Sequence, residues 1–229
     1  MKHLVVAAAL LIVLAACQDD HKPAAAPTAA QSAASATPIT IVAMGDSLTA
    51  GYGVPEEEAY PAKLERRLRQ EGYNCRVINS GVSGETSSDA LSRLDWVLAM
   101  NPDIVIFESG ANDGLRGINP AIPRENIDKI LTLLEKKGIV TIFVGMKMVW
   151  SLGPAYVADF DAIYPDLAKK HKVLFMPFFL DGVATKPGLN QDDGIHPEAA
   201  GYGIIVENIL PLARAAIAQR QKATPSRQD

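Results

Sequence analysis

The stretch Ile39-Thr40-Ile41-Val42-Ala43-Met44-Gly45-Asp46-Ser47-Leu48-Thr49 decides the fold. Residues 39–44 are apolar or β-branched without polar alternation, the pattern of a strand buried on both faces. Gly45 and Asp46 end the run abruptly. A serine at such a strand end, opening a helix, has its oxygen exposed, and the nearby amides favour negative charge there. Taken alone, Gly-Asp-Ser fits a turn serine capping a helix equally well.

Working outward, four more short β-branched runs occur at residues 76–79, 104–108, 140–144 and 173–176. The segments between them have helical spacing. Tyr60, Leu64 and Leu68 recur every fourth residue behind Pro61, which suits a first helical turn. Ile127, Ile130, Leu131 and Leu134 form a second apolar face, closed by Gly138 after two lysines. Tyr202, Ile205, Val206, Ile209 and Leu210 form a last one. Strands alternating with helices predict an α/β fold, a five-stranded parallel sheet covered on both sides, with its site beyond the carboxyl ends of the strands.

The ends of the chain read differently. Lys2 and His3 precede an apolar run, residues 4–14, too short to span a bilayer, which needs about 20 apolar residues. It leads into Leu14-Ala15-Ala16-Cys17, which resembles a bacterial lipobox. Residues 1–16 are therefore expected to be a lipoprotein signal peptide and Cys17 the lipidated residue, a tether rather than a span. Gln18, where an aspartate would favour retention at the inner membrane, points to the outer membrane, facing the periplasm. Residues 18–38 are rich in Ala, Pro, Ser and Thr and cannot bury enough surface to order themselves, so 17–38 reads as lipidated cysteine plus flexible linker. The folded domain is expected over 39–218 and a polar tail over 219–229. With Cys17 lipidated, Cys75 has no partner and is expected as a buried free thiol.

Composition narrows the function classes. In 229 residues, 48% are hydrophobic and 21% charged, with a formal net charge of −4 and no basic stripe, so nothing calls for nucleic acid. The four histidines are His3, His21, His171 and His196, and no thiolate set accompanies them, so a metal site lacks ligands and no metal is expected.

Three further motifs fall at or beyond the ends of predicted elements. Asn79-Ser80-Gly81-Val82-Ser83-Gly84 offers glycine amides as oxyanion donors, though two glycines by themselves say only turn. Gly110-Ala111-Asn112-Asp113-Gly114 could place an asparagine amide at the same oxyanion, or be a structural Asn-Asp-Gly turn. Asp192-Asp193-Gly194-Ile195-His196-Pro197 places a carboxylate and an imidazole within one turn, as proton transfer from a serine requires, though Asp-x-x-His alone could equally cap a helix or ligate metal.

In their order, serine, glycine, asparagine, aspartate–histidine, these blocks resemble those of the SGNH hydrolases, also called GDSL esterases. The resemblance runs from about residue 39 to 215. It is closest to the bacterial thioesterase I, protease I and lysophospholipase L1 subgroup, through Asn112-Asp113-Gly114-Leu115-Arg116-Gly117, Ala162-Ile163-Tyr164-Pro165 and Gln191-Asp192-Asp193-Gly194-Ile195-His196-Pro197. It implies a flavodoxin-like three-layer sandwich, no cofactor, and a serine esterase acting on acyl esters, thioesters or lysophospholipids, with a monomer expected. Ser47 would be the nucleophile, His196 the base and Asp193 its orienter. The Ser47 N–H, the Gly84 N–H and the Asn112 side chain would form the oxyanion hole, with Gly81 the competing glycine.

One loop departs from that subgroup. Val149-Trp150-Ser151-Leu152-Gly153 replaces a Pro-x-Asn-Tyr-Gly pattern in a loop that in the family helps line the acyl site. The resemblance thus implies Val149, Trp150 and Leu152 as apolar contacts of the substrate, while Trp150 fits packing into the domain equally well. Two other readings stay open: an O-acetyl esterase of cell-envelope glycan, and a non-catalytic lipoprotein binding glycan or lipid.

Overall fold

Strand β1 (Ile39–Gly45) is the first strand of the structure, a computed structural model that describes residues 37–148 and 152–223. The expected signal peptide, Cys17 and nearly all of the linker lie outside the described residues, as do Val149 and Trp150. After β1 the chain runs through α1 (Ser47–Ala50), α2 (Tyr60–Gln70), β2 (Cys75–Gly81), α3 (Ser87–Ser92), α4 (Leu94–Ala99) and β3 (Ile104–Glu108). It continues through α5 (Ala111–Leu115), α6 (Ala121–Lys136), β4 (Val140–Val144), α7 (Pro154–Asp161), α8 (Ile163–His171), β5 (Leu174–Met176) and α9 (Ala199–Ala223).

The five strands form one parallel sheet in the order β2-β1-β3-β4-β5. Helices α2 and α9 pack together on one face, and α3, α6 and α8 on the other, completing three layers. This is why β1, β3 and β4 carry apolar residues almost without interruption: both their faces are covered. Tyr60, Leu64 and Leu68 of α2 are wholly buried, as their spacing predicts, and Leu64→Ala would cost about 2–5 kcal/mol. The strand order reverses between β1 and β3, and a crevice opens at the carboxyl ends of that pair.

Three boundaries differ from the sequence reading. β2 extends past residue 79 to Gly81, because Asn79, Ser80 and Gly81 pair in register with Ala43, Met44 and Gly45 although their composition reads as a turn. A Cβ at Gly81 would run into the Ala50 backbone, so only glycine lets α1 pack there. β5 begins at Leu174, one residue later than expected. Helix α9 carries on through 219–223, where Arg220 Nε donates to Asp103 Oδ1 at 2.8 Å, so the polar tail is shorter than 219–229. Cys75 is a free buried thiol, its pKa raised by burial and then by the nearby Glu65.

Candidate active site

Ser47 is the first residue of α1, directly beyond β1, and Asn112 sits in α5, beyond β3, so the two face each other across the reversal in strand order. Asp46 caps α1, accepting from the Leu48 N–H at 2.9 Å. Gly45 is glycine for a local reason: a Cβ there would collide with Thr49 Oγ1 and Glu108 Oε2.

His196 reaches the same place from the loop before α9. Its Nε2 lies 2.8 Å from Ser47 Oγ and its Nδ1 2.6 Å from Asp193 Oδ2. An ionised carboxylate only accepts, so the imidazole proton sits on Nδ1 and Nε2 is left to accept from the serine hydroxyl. Asp193 Oδ1 also accepts the Ile195 and His196 N–H groups, both at 3.0 Å. Burial would raise this carboxyl. The hydrogen bonds from the His196 ring and from the two amides outweigh it and hold its pKa at about 2. Such a chain can take a proton from Ser47 while keeping the imidazole in one tautomer.

Two features fix the imidazole that sequence reasoning missed. The Tyr52 ring lies against it, with centroids 4.7 Å apart and planes at 42°. Gln191 ties the two segments together: its Nε2 donates to Tyr52 O at 2.7 Å, and its backbone N–H donates to His196 O at 2.8 Å.

On the other side of Ser47, Gly84 and Asn112 line the cleft together with it. Gly84 has φ +81°, a left-handed conformation that favours glycine. Gly81 lies outside the cleft wall, and its N–H donates to Asn79 Oδ1 at 3.0 Å. Asn112 Nδ2 donates to Asp46 Oδ2 and to Glu85 O, each at 3.0 Å. Both amide protons are thus engaged, and one must leave the Glu85 carbonyl to meet an oxyanion.

Beneath this floor lies a buried acid pair. Glu108 is inaccessible to solvent; its Oε2 accepts the Asp46 N–H at 3.1 Å and the Thr49 hydroxyl at 3.3 Å, while its Oε1 has no hydrogen-bond partner among the described residues. Burial, and then the neighbouring Asp46 charge, push the Glu108 carboxyl well above its usual range. Burial also raises Asp46, against the hydrogen bond from Leu48. Nearby, Arg93 binds Glu85 and also donates to the Ser80 carbonyl at 2.8 Å, clamping the loop that carries Gly84 to the end of β2. Even so, burial pushes Glu85 up to about 7. Asp113 accepts from Ser87 N at 2.7 Å and Ser87 Oγ at 2.6 Å, binding α5 to α3.

The cleft holds about 490 Å³. Its walls are mainly apolar, with Leu115, Met146, Met148, Phe178, Leu180 and Ile195 beside the polar atoms around Ser47. Leu152, an expected substrate contact, is half-buried just before α7 and is not part of this wall, whereas Met148, four residues earlier, is. His171 lies elsewhere, paired with Asp128 at 2.7 Å on α6. Among the described residues no group of three His, Cys, Asp or Glu side chains is placed to hold a metal ion.

Comparison with known proteins agrees with this geometry. Residues 43–204 match the model of the GDSL-like Lipase/Acylhydrolase family. Esterase TesA of Pseudomonas aeruginosa is 37% identical over 176 residues, covering 76% of this chain and 88% of that protein. Thioesterase 1/protease 1/lysophospholipase L1 of Escherichia coli K12 is 37% identical over 174 residues, covering 76% of this chain and 82% of that protein. Among solved structures, the SGNH-hydrolase family esterase AlinE4 superposes with a TM-score of 0.67 at 43% identity, covering 83% of this chain and 99% of that one.

Proposed function

The chain belongs to the GDSL-like Lipase/Acylhydrolase family, and on that premise we propose that it hydrolyses acyl esters, acyl thioesters and lysophospholipids at Ser47. The observation that carries this reading is the single imidazole joining Ser47 Oγ at 2.8 Å to Asp193 at 2.6 Å.

In the first half-reaction Ser47 Oγ bonds to the acyl carbonyl carbon as its proton passes to His196 Nε2. The imidazolium keeps its Nδ1–H on Asp193. The carbonyl oxygen, now an anion, is held by the Ser47 N–H, the Gly84 N–H and an Asn112 proton released from the Glu85 carbonyl. One such donor is worth about 3–4 kcal/mol in the transition state. The oxyanion collapses, the carbon–oxygen or carbon–sulfur bond to the leaving group breaks, and His196 protonates that group. Water then attacks the acyl-enzyme with His196 as base, releasing the acid and restoring Ser47.

The apolar cleft wall favours an acyl chain over a sugar, and so favours this reading over de-O-acetylation of glycan. The lipobox-like residues 14–17 support a lipid-anchored protein of the bacterial envelope facing the periplasm. A fluorophosphonate probe should label Ser47, and Ser47→Ala should lower kcat on p-nitrophenyl butyrate by about 10⁶-fold. Unlabelled Ser47 with full activity in the variant would sink the mechanism. A panel of acyl lengths, oxyesters, thioesters and acetylated glycan then ranks the substrates.

A further inference from the structure

Seven large apolar side chains stand exposed among the described residues; three of them line the mouth of the cleft and a fourth adjoins a lining residue in the chain. Tyr52, Leu115 and Ile195 line the cleft and are 54%, 49% and 42% exposed; Val82, beside the lining residue Ser83, is 47% exposed. They come from four separate segments, beyond β1, beyond β2, in α5 and before α9. Scattered exposed apolar residues are ordinary, but three that converge on one cleft from separate segments, with Val82 next to a fourth lining segment, mark a surface that is covered in use.

We propose that this rim docks on a phospholipid bilayer, so that the cleft takes its acyl substrate directly from the membrane surface. The inference rests on the acyl-hydrolase reading of the site and adds where the substrate is taken up.

Two observations choose a bilayer as the occupant. The first is charge. The exposed Arg116 follows Leu115, its Nη2 on the Gly84 carbonyl at 2.7 Å, and the exposed Lys147 is part of the cleft wall. Cations beside apolar side chains suit a phosphate headgroup layer over acyl chains. The second is chain length. Nineteen residues, 18–36, lie between Cys17, at the lipobox-like motif, and Thr37. The chain enters at the amino end of β1, so seven strand residues, about 23 Å, lie between its entry and the mouth. The twenty Cα steps from Cys17 to Thr37 reach up to about 70 Å, roughly three times the length of that strand, so chain length sets no bar to the mouth meeting a bilayer.

The exposed Trp96, on α4, provides the contrast, being 78% exposed and outside the cleft wall. The test uses the full lipidated chain in phosphatidylethanolamine vesicles containing phosphatidylglycerol, with lysophosphatidylethanolamine as the vesicle-borne substrate. In the first measurement Val82→Cys or Trp96→Cys carries an environment-sensitive fluorophore, and p-nitrophenyl butyrate turnover reports folding. A blue shift at position 82 and none at 96 is expected on vesicle insertion. In the second, Val82→Asp should lower turnover of the vesicle-borne substrate about tenfold and leave the soluble ester unaffected. Trp96→Ser should change neither.

A shift at 96 alone, or at neither position, would overturn the docking, as would equal losses on both substrates in Val82→Asp. A shift at 82 that follows protein concentration without vesicles would assign the rim to a second copy of the chain, and also overturns it. Loss of soluble-ester turnover in the parent protein counts against the hydrolase reading instead, and a shift at 82 would still report docking.

Discussion

Two sets of carboxylates approach Ser47 from opposite sides, and the same chemical group behaves differently in each. Asp193, on the outer side, keeps 40% of its side chain exposed and is surrounded by donors: the His196 ring and two backbone amides. Its pKa is held at about 2. Asp46 and Glu108, on the inner side, are almost fully buried, and Glu108 Oε1 meets no donor among the described residues. Their pKa values move up, Glu108 furthest. Donors without burial preserve a charge, and burial without enough donors preserves a proton. The outer carboxylate acts through its charge, fixing the His196 tautomer. The inner pair acts as framework: Glu108 holds the Asp46 amide, and Asp46 holds Leu48 and Asn112.

The most severe way to break this comparison is to take the charge from the outer side. Asp193→Asn preserves shape but presents an amide NH₂ to Nδ1, which forces the proton onto Nε2, where it cannot accept from Ser47. We expect kcat on p-nitrophenyl butyrate to fall about 10⁴-fold with KM little changed. A loss of tenfold or less would mean that Tyr52 and Gln191 already orient the imidazole. Next is the junction between the two sides. Asn112→Ala removes one proposed oxyanion donor and should lower kcat by about 10²–10³-fold, again with little change in KM. The engagement of both Asn112 protons sharpens this test, because an amide unable to leave Glu85 O would make the loss much smaller.

The inner pair should register in stability. Glu108→Ala leaves the Asp46 N–H and the Thr49 hydroxyl buried without their acceptor, at a cost of about 2–3 kcal/mol in urea unfolding. Glu108→Gln keeps a neutral acceptor of the same shape and should stay within about 1 kcal/mol of the parent protein at pH 6. A large loss in Glu108→Gln would show that Glu108 is ionised in the folded protein.

The outer side was legible in the sequence and the inner side was not, for a physical reason. Ser47, Gly84, Asn112, Asp193 and His196 sit in short blocks just beyond strands or before a helix, where small and polar residues interrupt apolar runs. The sheet was legible in the same way, since β1, β3 and β4 are covered on both faces and their apolar residues are nearly unbroken. Glu108 ends such a run, and a glutamate there reads as the first residue to meet water. Only the missing Cβ of Gly45, 63 positions earlier, betrays the space that Glu108 occupies. The second half of β2 failed for the converse reason, because backbone pairing places Asn79, Ser80 and Gly81 in the sheet against their composition. Tyr52 and Asp113 have roles set by partners far along the chain, His196 and Ser87, which no local pattern encodes.

The smallest expected effect is also the most direct reading of the contrast, because the two sides should respond to pH with opposite sign. Asp193 has its pKa lowered on folding to about 2, from an ordinary value of 3.8. Above the higher value both states are ionised and its stabilisation is fully present; it fades as pH falls from about 4 towards 2, where the folded state takes up the proton. Solvent screens so exposed a group, so the change should be modest. Glu108 has its pKa raised, so above pH 4.5 the folded state keeps a proton that the unfolded chain has given up, and stability falls as pH rises. Urea unfolding across pH therefore separates them. The margin of the parent protein over Asp193→Asn should narrow between pH 4 and pH 2, whereas the stability of Glu108→Gln relative to the parent should improve between pH 5 and pH 8. Parallel curves for Glu108→Gln and the parent would show that the inner carboxyl titrates alike in both states. The framework role would then rest on its hydrogen bonds alone, with no retained proton.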